Sequence, residues 1–239
     1  MQLARPSYLL IDANALKHNI ATIKQYAPAQ QIVAMVKSNA YGCGLHLVAP
    51  ILEPLVDAFG VACIEEAYAL RQICVTKECV LMQGIFSVDE LPTVVDLHLT
   101  TVIHNPQQLA WFVSMPQAQK LKVWVKVDTG MHRLGFAPRE LPGVLRTLHV
   151  CPWIEESIGL MTHMACADTP GHSMNQQQLQ LWSDIAQQYA HMKQSVANSA
   201  AIIALPQSHA QVIRPGLIIY GVSPFETCTG QDLGLEPVM

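Results

Sequence analysis

Lys37 closes the run QIVAMVK and is followed at once by SNAYGCG, a turn punctuated by Gly42 and Gly44. A lysine ending an apolar run is unusual, because burying an unpaired ammonium is costly. The same burial is how a Schiff-base lysine is made, since desolvation and nearby cations favour the neutral, nucleophilic amine. The plain alternative is a lysine that snorkels to water from the end of its strand. Lys126 lies in VWVKVDTGMHRLGF with Asp128 and Arg133 close behind, which reads either as part of a reactive site or as an ion-pair network. His163 and Asp168 in MTHMACAD follow another apolar run, where a lone histidine is more often a hydrogen-bonded structural residue than a catalyst. Asn198 and Ser199 open a helix directly after SVA, and Arg214-Pro215-Gly216-Leu217 follows the last β-branched run. Both places offer backbone N–H groups to an anion, and Gly216 allows a close approach of the main chain.

Such scattered groups act together only if the fold gathers them. Apolar runs at 8–11, 32–36, 59–63, 79–82, 100–104, 121–127, 157–162, 194–197 and 211–213 read as strands, several of them apolar enough to be buried on both faces. Helical patterns lie between them. Asp12 caps a helix through Tyr26, Ser87-Val-Asp-Glu90 is a capping box, and Pro106 and Pro138 suit first turns. Strands alternating with helices mean βαβ units and a parallel sheet. With the first run as a lead-in, eight strands remain from Ile32 onward, which is the count of an α/β (β/α)8 barrel of the TIM type. A doubly wound sheet would want a Gly-rich nucleotide fingerprint after its first strand, and none is present. The barrel takes residues 1–225; the stretch 226–239 loses the alternation and reads as an exit segment. In such a barrel, functional side chains sit where strands end, and the last two units hold phosphate. A lysine nucleophile with a late phosphate cup points to a phosphorylated cofactor held as a Schiff base, pyridoxal 5'-phosphate (PLP).

Composition narrows the classes further. Of 239 residues, 51% are hydrophobic and 13% charged, with net charge −4, against roughly 25% charged in an average globular protein. That excludes a disordered charged tail and argues against nucleic acid as a partner. No run of about 18 apolar residues suggests a membrane span, and the N-terminus has no signal-peptide core. Seven cysteines without CxxC or zinc spacing read as reduced thiols of a cytoplasmic protein, mostly small core residues. Ten scattered histidines without HExxH suggest no metal site.

The segments AMVKSNAYGCG, VKVDTGMHRLGF, THMACAD, ANSAA and VIRPGLIIYG resemble, in order and spacing, the motifs of bacterial alanine racemase. RPSYLLIDANALKHNI is similar to that family's first strand and helix, so the resemblance covers essentially the whole chain. It implies a PLP-dependent isomerase, a cytoplasmic homodimer that interconverts L- and D-alanine and so supplies D-alanine for cell-wall peptidoglycan. By the same resemblance the catalytic set is Lys37, Arg133, His163 and Arg214. Lys37 holds PLP and then serves as base on the D-alanine face. Tyr41, Ser199 and the backbone of Gly216 and Leu217 hold the phosphate, with Asn198 and Tyr220 among the cofactor-binding positions. Arg214 faces the pyridine nitrogen beside His163. Arg133 pairs with the phenolate oxygen, oriented by Lys126, which is carbamylated in many members. A guanidinium does not give up its proton, so Arg214 leaves the ring neutral and a weaker electron sink. That favours reprotonation at Cα over transamination.

The sequence also departs from the family. Racemisation needs acid and base on opposite faces of Cα. In the family the second base is a tyrosine of a mostly β C-terminal domain, contributed by the partner subunit. The sequence stops at LGLEPVM, near where that domain begins, and none of the tyrosines at 8, 26, 41, 68, 189 and 220 matches it. The expectation is a barrel without its C-terminal β domain, able to bind PLP and poor at racemisation. An alternative is a stand-alone PLP-binding barrel of cofactor homeostasis, against which DTGMHRLGF and RPGLIIYG stand. A barrel-type amino-acid decarboxylase fits less well, because those enzymes place a glutamate at the pyridine nitrogen. A structural or interaction module with a retired site is a third reading; the exit segment and barrel-top surface that the second domain would cover predict either self-association or marginal stability.

Overall fold

The computed structural model of the chain describes residues 8–116 and 119–239. Eight of the nine apolar runs form short parallel strands: β1 (Gln31–Met35), β2 (Ala58–Val61), β3 (Glu78–Leu81), β4 (Leu99–Ile103), β5 (Val123–Lys126), β6 (Gly159–Met161), β7 (Lys193–Asn198) and β8 (Val212–Arg214). Neighbours pair in chain order, and β8 returns to β1 through Gln31 opposite Val212, which closes the barrel. Helices α1 (Ala13–Tyr26), α2 (Leu45–Leu52), α3 (Ile64–Gln72), α4 (Leu91–Asp96), α5 (Pro106–Ser114), α6 (Leu141–His149), α7 (Ser173–Gln188) and α8 (Ser199–Ala204) complete the units. The strands are therefore buried on both faces, which is why they read as continuous apolar runs.

The helix signals act locally, with two adjustments. Asp12 accepts the N–H groups of Asn14 and Ala15 at the head of α1, and Asn105 caps α5 ahead of Pro106. Pro138 instead opens a 3-10 turn, Pro138–Glu140, that feeds α6. The box at Ser87 is displaced: its side chain accepts from Asp89, while the Glu90 carboxylate reaches past it to the N–H of Phe86.

Residues 8–11 are not a strand. A strand needs a partner for its N–H and C=O groups, and a closed barrel offers no free edge; Tyr8, Leu9 and Leu10 lie exposed. The helix that follows them, α1, packs beyond β8 on the 3-10 turn Leu217–Tyr220, where Asn19 donates to the carbonyl of Ile219. The stretch 226–239 folds back on the same helix. Asp12 N–H donates to Val238, Asn19 both donates to and accepts from the Glu236 backbone, and Leu235 and Val238 are buried.

Period-two alternation sends Val33, Met35, Ala58, Val80, Val102, Trp124, Met161 and Val212 into the barrel centre. Gly159 is what admits the Trp124 ring, since a Cβ there would lie inside it. Lys126 and Arg214 stand two residues beyond Trp124 and Val212 on the same strands. The alternation therefore points both cations inward at the C-terminal rim.

Thr101 faces the other way, fully buried, and its hydroxyl has no partner. Thr101→Val removes an unsatisfied polar atom at constant shape and is expected to stabilise the fold by about 1 kcal/mol, read as a higher Tm. The cysteines are all free, but only Cys43, Cys79 and Cys151 are buried. The expectation that most belong to the core is corrected. No helix among the described residues is long and apolar enough to cross a membrane.

Candidate functional site

The C-terminal ends of the strands surround a cavity of about 710 Å³. Lys37 after β1, Lys126 on β5, His163 after β6, Asn198 and Ser199 at the end of β7, and Arg214, Gly216 and Leu217 at β8 all line it, with Tyr41, Arg133 and Asp168 from the loops. Nearly every residue singled out in the sequence thus converges on one space. Two other recesses, of about 620 Å³ beside α7 and about 510 Å³ at the opposite end of the barrel, contain none of them.

Asp128 and Tyr220 do not line the cavity. Asp128 turns to its own loop, accepting from Gly130, from His132 N–H and from the His132 ring at 3.0 Å. Burial pushes its carboxyl up, and those His132 and Gly130 bonds outweigh that and hold it below its ordinary value. Tyr220, expected at the cofactor, lies buried behind Tyr41. The rings stack with centroids 5.0 Å apart, and the Tyr220 hydroxyl donates to Met35 O at 3.0 Å. Tyr220 is a wall for Tyr41 because its hydroxyl is already spent on the strand.

Desolvation falls on a different lysine from the one expected. Lys37 is half-buried, whereas Lys126 is only 7% exposed. Burial, then Arg214 and Arg133, bring the Lys126 ammonium down to about 8, so roughly one tenth of it is neutral at pH 7. The ion-pair network does not form: among the described residues neither Lys126 nor Arg133 makes a salt bridge. Four cationic side chains, Lys37, Lys126, Arg133 and Arg214, therefore face the cavity against one carboxylate, Asp168.

Arg214 is 4% exposed. It donates to Ser195 Oγ, to Thr162 O at 2.6 Å, to Val196 O at 3.2 Å and, at 3.5 Å, to His163 Nδ1. Burial lowers it to about 10, which leaves it charged at neutral pH. A guanidinium only donates, so Nδ1 of His163 accepts and the ring proton sits on Nε2. Burial, and then the charges of Arg214, Lys126, Arg133 and Lys37, push His163 down to about 2. His163 is therefore a neutral ring. Gln178 of α7 secures that corner, donating to His163 O and Thr129 Oγ1 and accepting from Ala165 N–H.

On the other side, Ser199 Oγ accepts the Gly216 N–H at 2.8 Å and keeps its own proton free to donate. A Cβ on Gly216 would collide with the Tyr41 hydroxyl, so glycine is what lets that hydroxyl approach the main chain here. Burial raises Tyr41, which keeps it a protonated donor. The Asn198 side chain, by contrast, caps α8 at Ala201 N–H and donates to Met164 O.

Sequence reasoning missed His104, which follows β4 in the cavity wall beside Gln83 and Gln108 and donates from Nε2 to Gln83 O at 2.9 Å. The His-Asn pair closing the run TTVI was the available signal. Burial holds His104 below its ordinary value.

Residues 11–224 match the family model described as alanine racemase, N-terminal domain. Over 237 residues the chain is 51% identical to the alanine racemase of Legionella pneumophila (strain Corby), covering 99% of this chain and 66% of that protein. The chain thus spans about two thirds of the length of the curated relatives it matches. Its fold is similar to the alanine racemase structure from Acinetobacter baumannii, with TM-score 0.90 and 40% identity over 96% of this chain and 67% of that one. It is also similar to the alanine racemase from Bartonella henselae, solved with covalently bound pyridoxal phosphate, with TM-score 0.80 and 29% identity over 90% of this chain and 60% of that one.

Proposed function

The chain belongs to the alanine racemase family, matching its N-terminal domain, and from that premise we propose that its cavity binds PLP and serves the interconversion of L- and D-alanine. The convergence of four cations on one cavity with one carboxylate carries the reading. The residues present fit this cofactor: the donors suit a polyanion, and the close approach allowed by Gly216 brings the Tyr41 hydroxyl beside Ser199, where both could donate to a phosphate.

When bound, PLP supplies an electron sink that acidifies the Cα–H of an amino acid. Lys37 is the amine that captures it and the base on one face. The Tyr41 and Ser199 hydroxyls and the Leu217 backbone N–H would hold the phosphate; the Gly216 N–H, expected there too, is instead engaged by Ser199 Oγ and orients that hydroxyl. Arg214 donates to the pyridine nitrogen without yielding a proton, and neutral His163 keeps its own proton on the ring. Arg133 pairs with the phenolate oxygen. Tyr41 is the one tyrosine among the described residues that lines the cavity, and it stands on the phosphate side. The resemblance to the family implies that the second base is a tyrosine supplied by the partner of a homodimer, and we assign it so. Exposed Phe86 and Leu217 at the cavity rim support a partner surface there. Free cysteines support a cytoplasmic setting, and the D-alanine would serve peptidoglycan.

The test is to incubate the chain with PLP, reduce with borohydride, map the adduct, and assay alanine racemisation. The adduct is expected on Lys37, and activity about 10²–10⁴-fold below that of a full-length relative, the usual worth of one acid–base group. An adduct elsewhere overturns the cofactor assignment. Activity equal to the relative's overturns the external base. PLP capture by a full-length homologue of this chain that racemises nothing favours the stand-alone barrel of cofactor homeostasis.

Lys126 is the proposed carbamylation site. Carbamylation requires a neutral amine, and the value of about 8 provides one near neutrality. The product is an anion beside Arg133, which converts repulsion into pairing. Intact-mass spectra in bicarbonate are expected to gain one CO2, lost in Lys126→Arg; a Lys126→Arg chain that still gains it places the modification elsewhere.

A further inference from the structure

Lys37 leaves β1 into a turn that L-residues avoid. Ser38, Asn39, Ala40 and Tyr41 have φ of 54–55°, four successive left-handed residues with no glycine among them. In that conformation Cβ crowds the following carbonyl oxygen, so residues other than glycine adopt it singly. A run of four persists only where its surroundings over-determine it.

Most of the restraints are internal. Gly42 N–H donates to Ser38 O, Gly44 N–H to Asn39 O, and Leu45 N–H to Asn39 Oδ1 at 2.8 Å. A different one comes from another unit of the barrel. Ser38 N–H, directly after Lys37, donates to Glu66 Oε1 at 2.6 Å, while Glu66 Oε2 accepts from Ala62 N–H at 2.8 Å. Glu66 is half-buried in the first turn of α3, and Ala62 is the residue that leaves β2. One carboxylate therefore ties the exits of two adjacent strands, and both of its oxygens are used.

We infer that Glu66 is a positioning residue for Lys37: its carboxylate clamps the left-handed turn Ser38–Tyr41 to the exit of β2 and so holds the Lys37 amine and the Tyr41 hydroxyl in one relation across the cavity. Glu66 touches neither cavity group itself and acts through the backbone at Ser38. The inference rests on the reading of Lys37 as the amine that captures PLP. A helix-stabilising carboxylate in a first turn is the competing explanation, and it makes no demand on Lys37. An amide at this position separates the two. It keeps the size and one acceptor oxygen, but its NH2 must face one of the two backbone N–H groups.

The experiment compares the parent chain with Glu66→Gln and Glu66→Asp. Amines are labelled competitively with a water-soluble amine-reactive ester over a range of pH and read peptide by peptide by mass spectrometry. PLP capture is followed in parallel by absorbance and borohydride trapping, with thermal melting to monitor the fold. In Glu66→Gln the labelling rate of Lys37 and its rate of PLP capture are expected to change by roughly tenfold or more, as for a misplaced reacting group. The exposed Lys17, Lys120 and Lys193 are expected to label as in the parent. Glu66→Asp, which keeps both acceptors on a shorter stem, is expected to recover part of the change. Parental labelling and capture at Lys37 in Glu66→Gln overturn the inference. So does a change shared by all lysines, which marks a general loosening. If the parent captures no PLP while Lys37 labelling still responds to Glu66→Gln, the PLP reading falls and the positioning role stands.

Discussion

Replacing Lys37 by alanine is expected to abolish covalent capture of PLP and leave the barrel folded. Two lysines line the cavity, and the proposed role of Lys37 rests on access. Lys126 is the more desolvated amine, lowered to about 8, and would be the better nucleophile by that measure. Access decides otherwise, because Lys126 is only 7% exposed at the end of β5 while Lys37 stands half-exposed on the cavity rim. Lys37 also makes no salt bridge among the described residues, so its loss is expected to move stability by about 0.5 kcal/mol or less. Removing one of four clustered cations acts, if anything, in the stabilising direction. After borohydride reduction, mass mapping is expected to find no adduct in Lys37→Ala and a parental adduct in Lys126→Met. An adduct transferred to Lys126 in the first variant would reverse the assignment.

The strands were legible because the barrel buries each on two faces, so that 32–36 or 121–127 reads as apolar without alternation. Run 8–11 is equally apolar and forms no strand, since apolarity reports burial or its potential and says nothing of a pairing partner. The cavity residues were legible for a related reason: Lys37, Lys126, His163 and Arg214 are polar groups at the ends of apolar runs. What connects them was not. The carboxylate of Glu66 finds its partners on the backbone at Ser38 and Ala62, and every residue has a backbone N–H. The left-handed turn at Ser38–Tyr41 is equally hidden, because SNAY carries no glycine to mark positive φ. The place of Tyr220 behind Tyr41 was hidden too, because stacking on Tyr41 depends on a register between β8 and β1 that spacing does not encode.

The buried neutral His163 makes a quantitative demand on stability in acid. Its folded value of about 2 lies far below the ordinary 6.5. Between those values the unfolded chain binds a proton that the folded one refuses, so stability must fall as pH drops below 6.5. One such group costs about 1.4 kcal/mol per pH unit once pH is well below 6.5, or about 2.3 kcal/mol between pH 6.5, where the unfolded ring is half protonated, and pH 4.5. That is a large share of the 5–15 kcal/mol that typically holds a domain together. The window identifies the group. Carboxyls held low in the fold, such as Asp128 and Glu53, withdraw their contribution only as pH falls toward and below their ordinary 3.8 and 4.5. His104, also lowered by burial, adds to the same window in the same direction. Denaturant unfolding at pH 6.5 and 4.5 is therefore expected to give a clear loss in the parent chain and a much smaller one in His163→Gln. The residual slope should belong largely to His104. In Arg214→Met the largest neighbouring charge on His163 is gone, so the ring should titrate at higher pH and the loss should again shrink, though from a lower starting stability. A parent chain equally stable at both pH values would mean that His163 takes up its proton in the folded barrel, and that the cations around it weigh less on the ring than their placement implies.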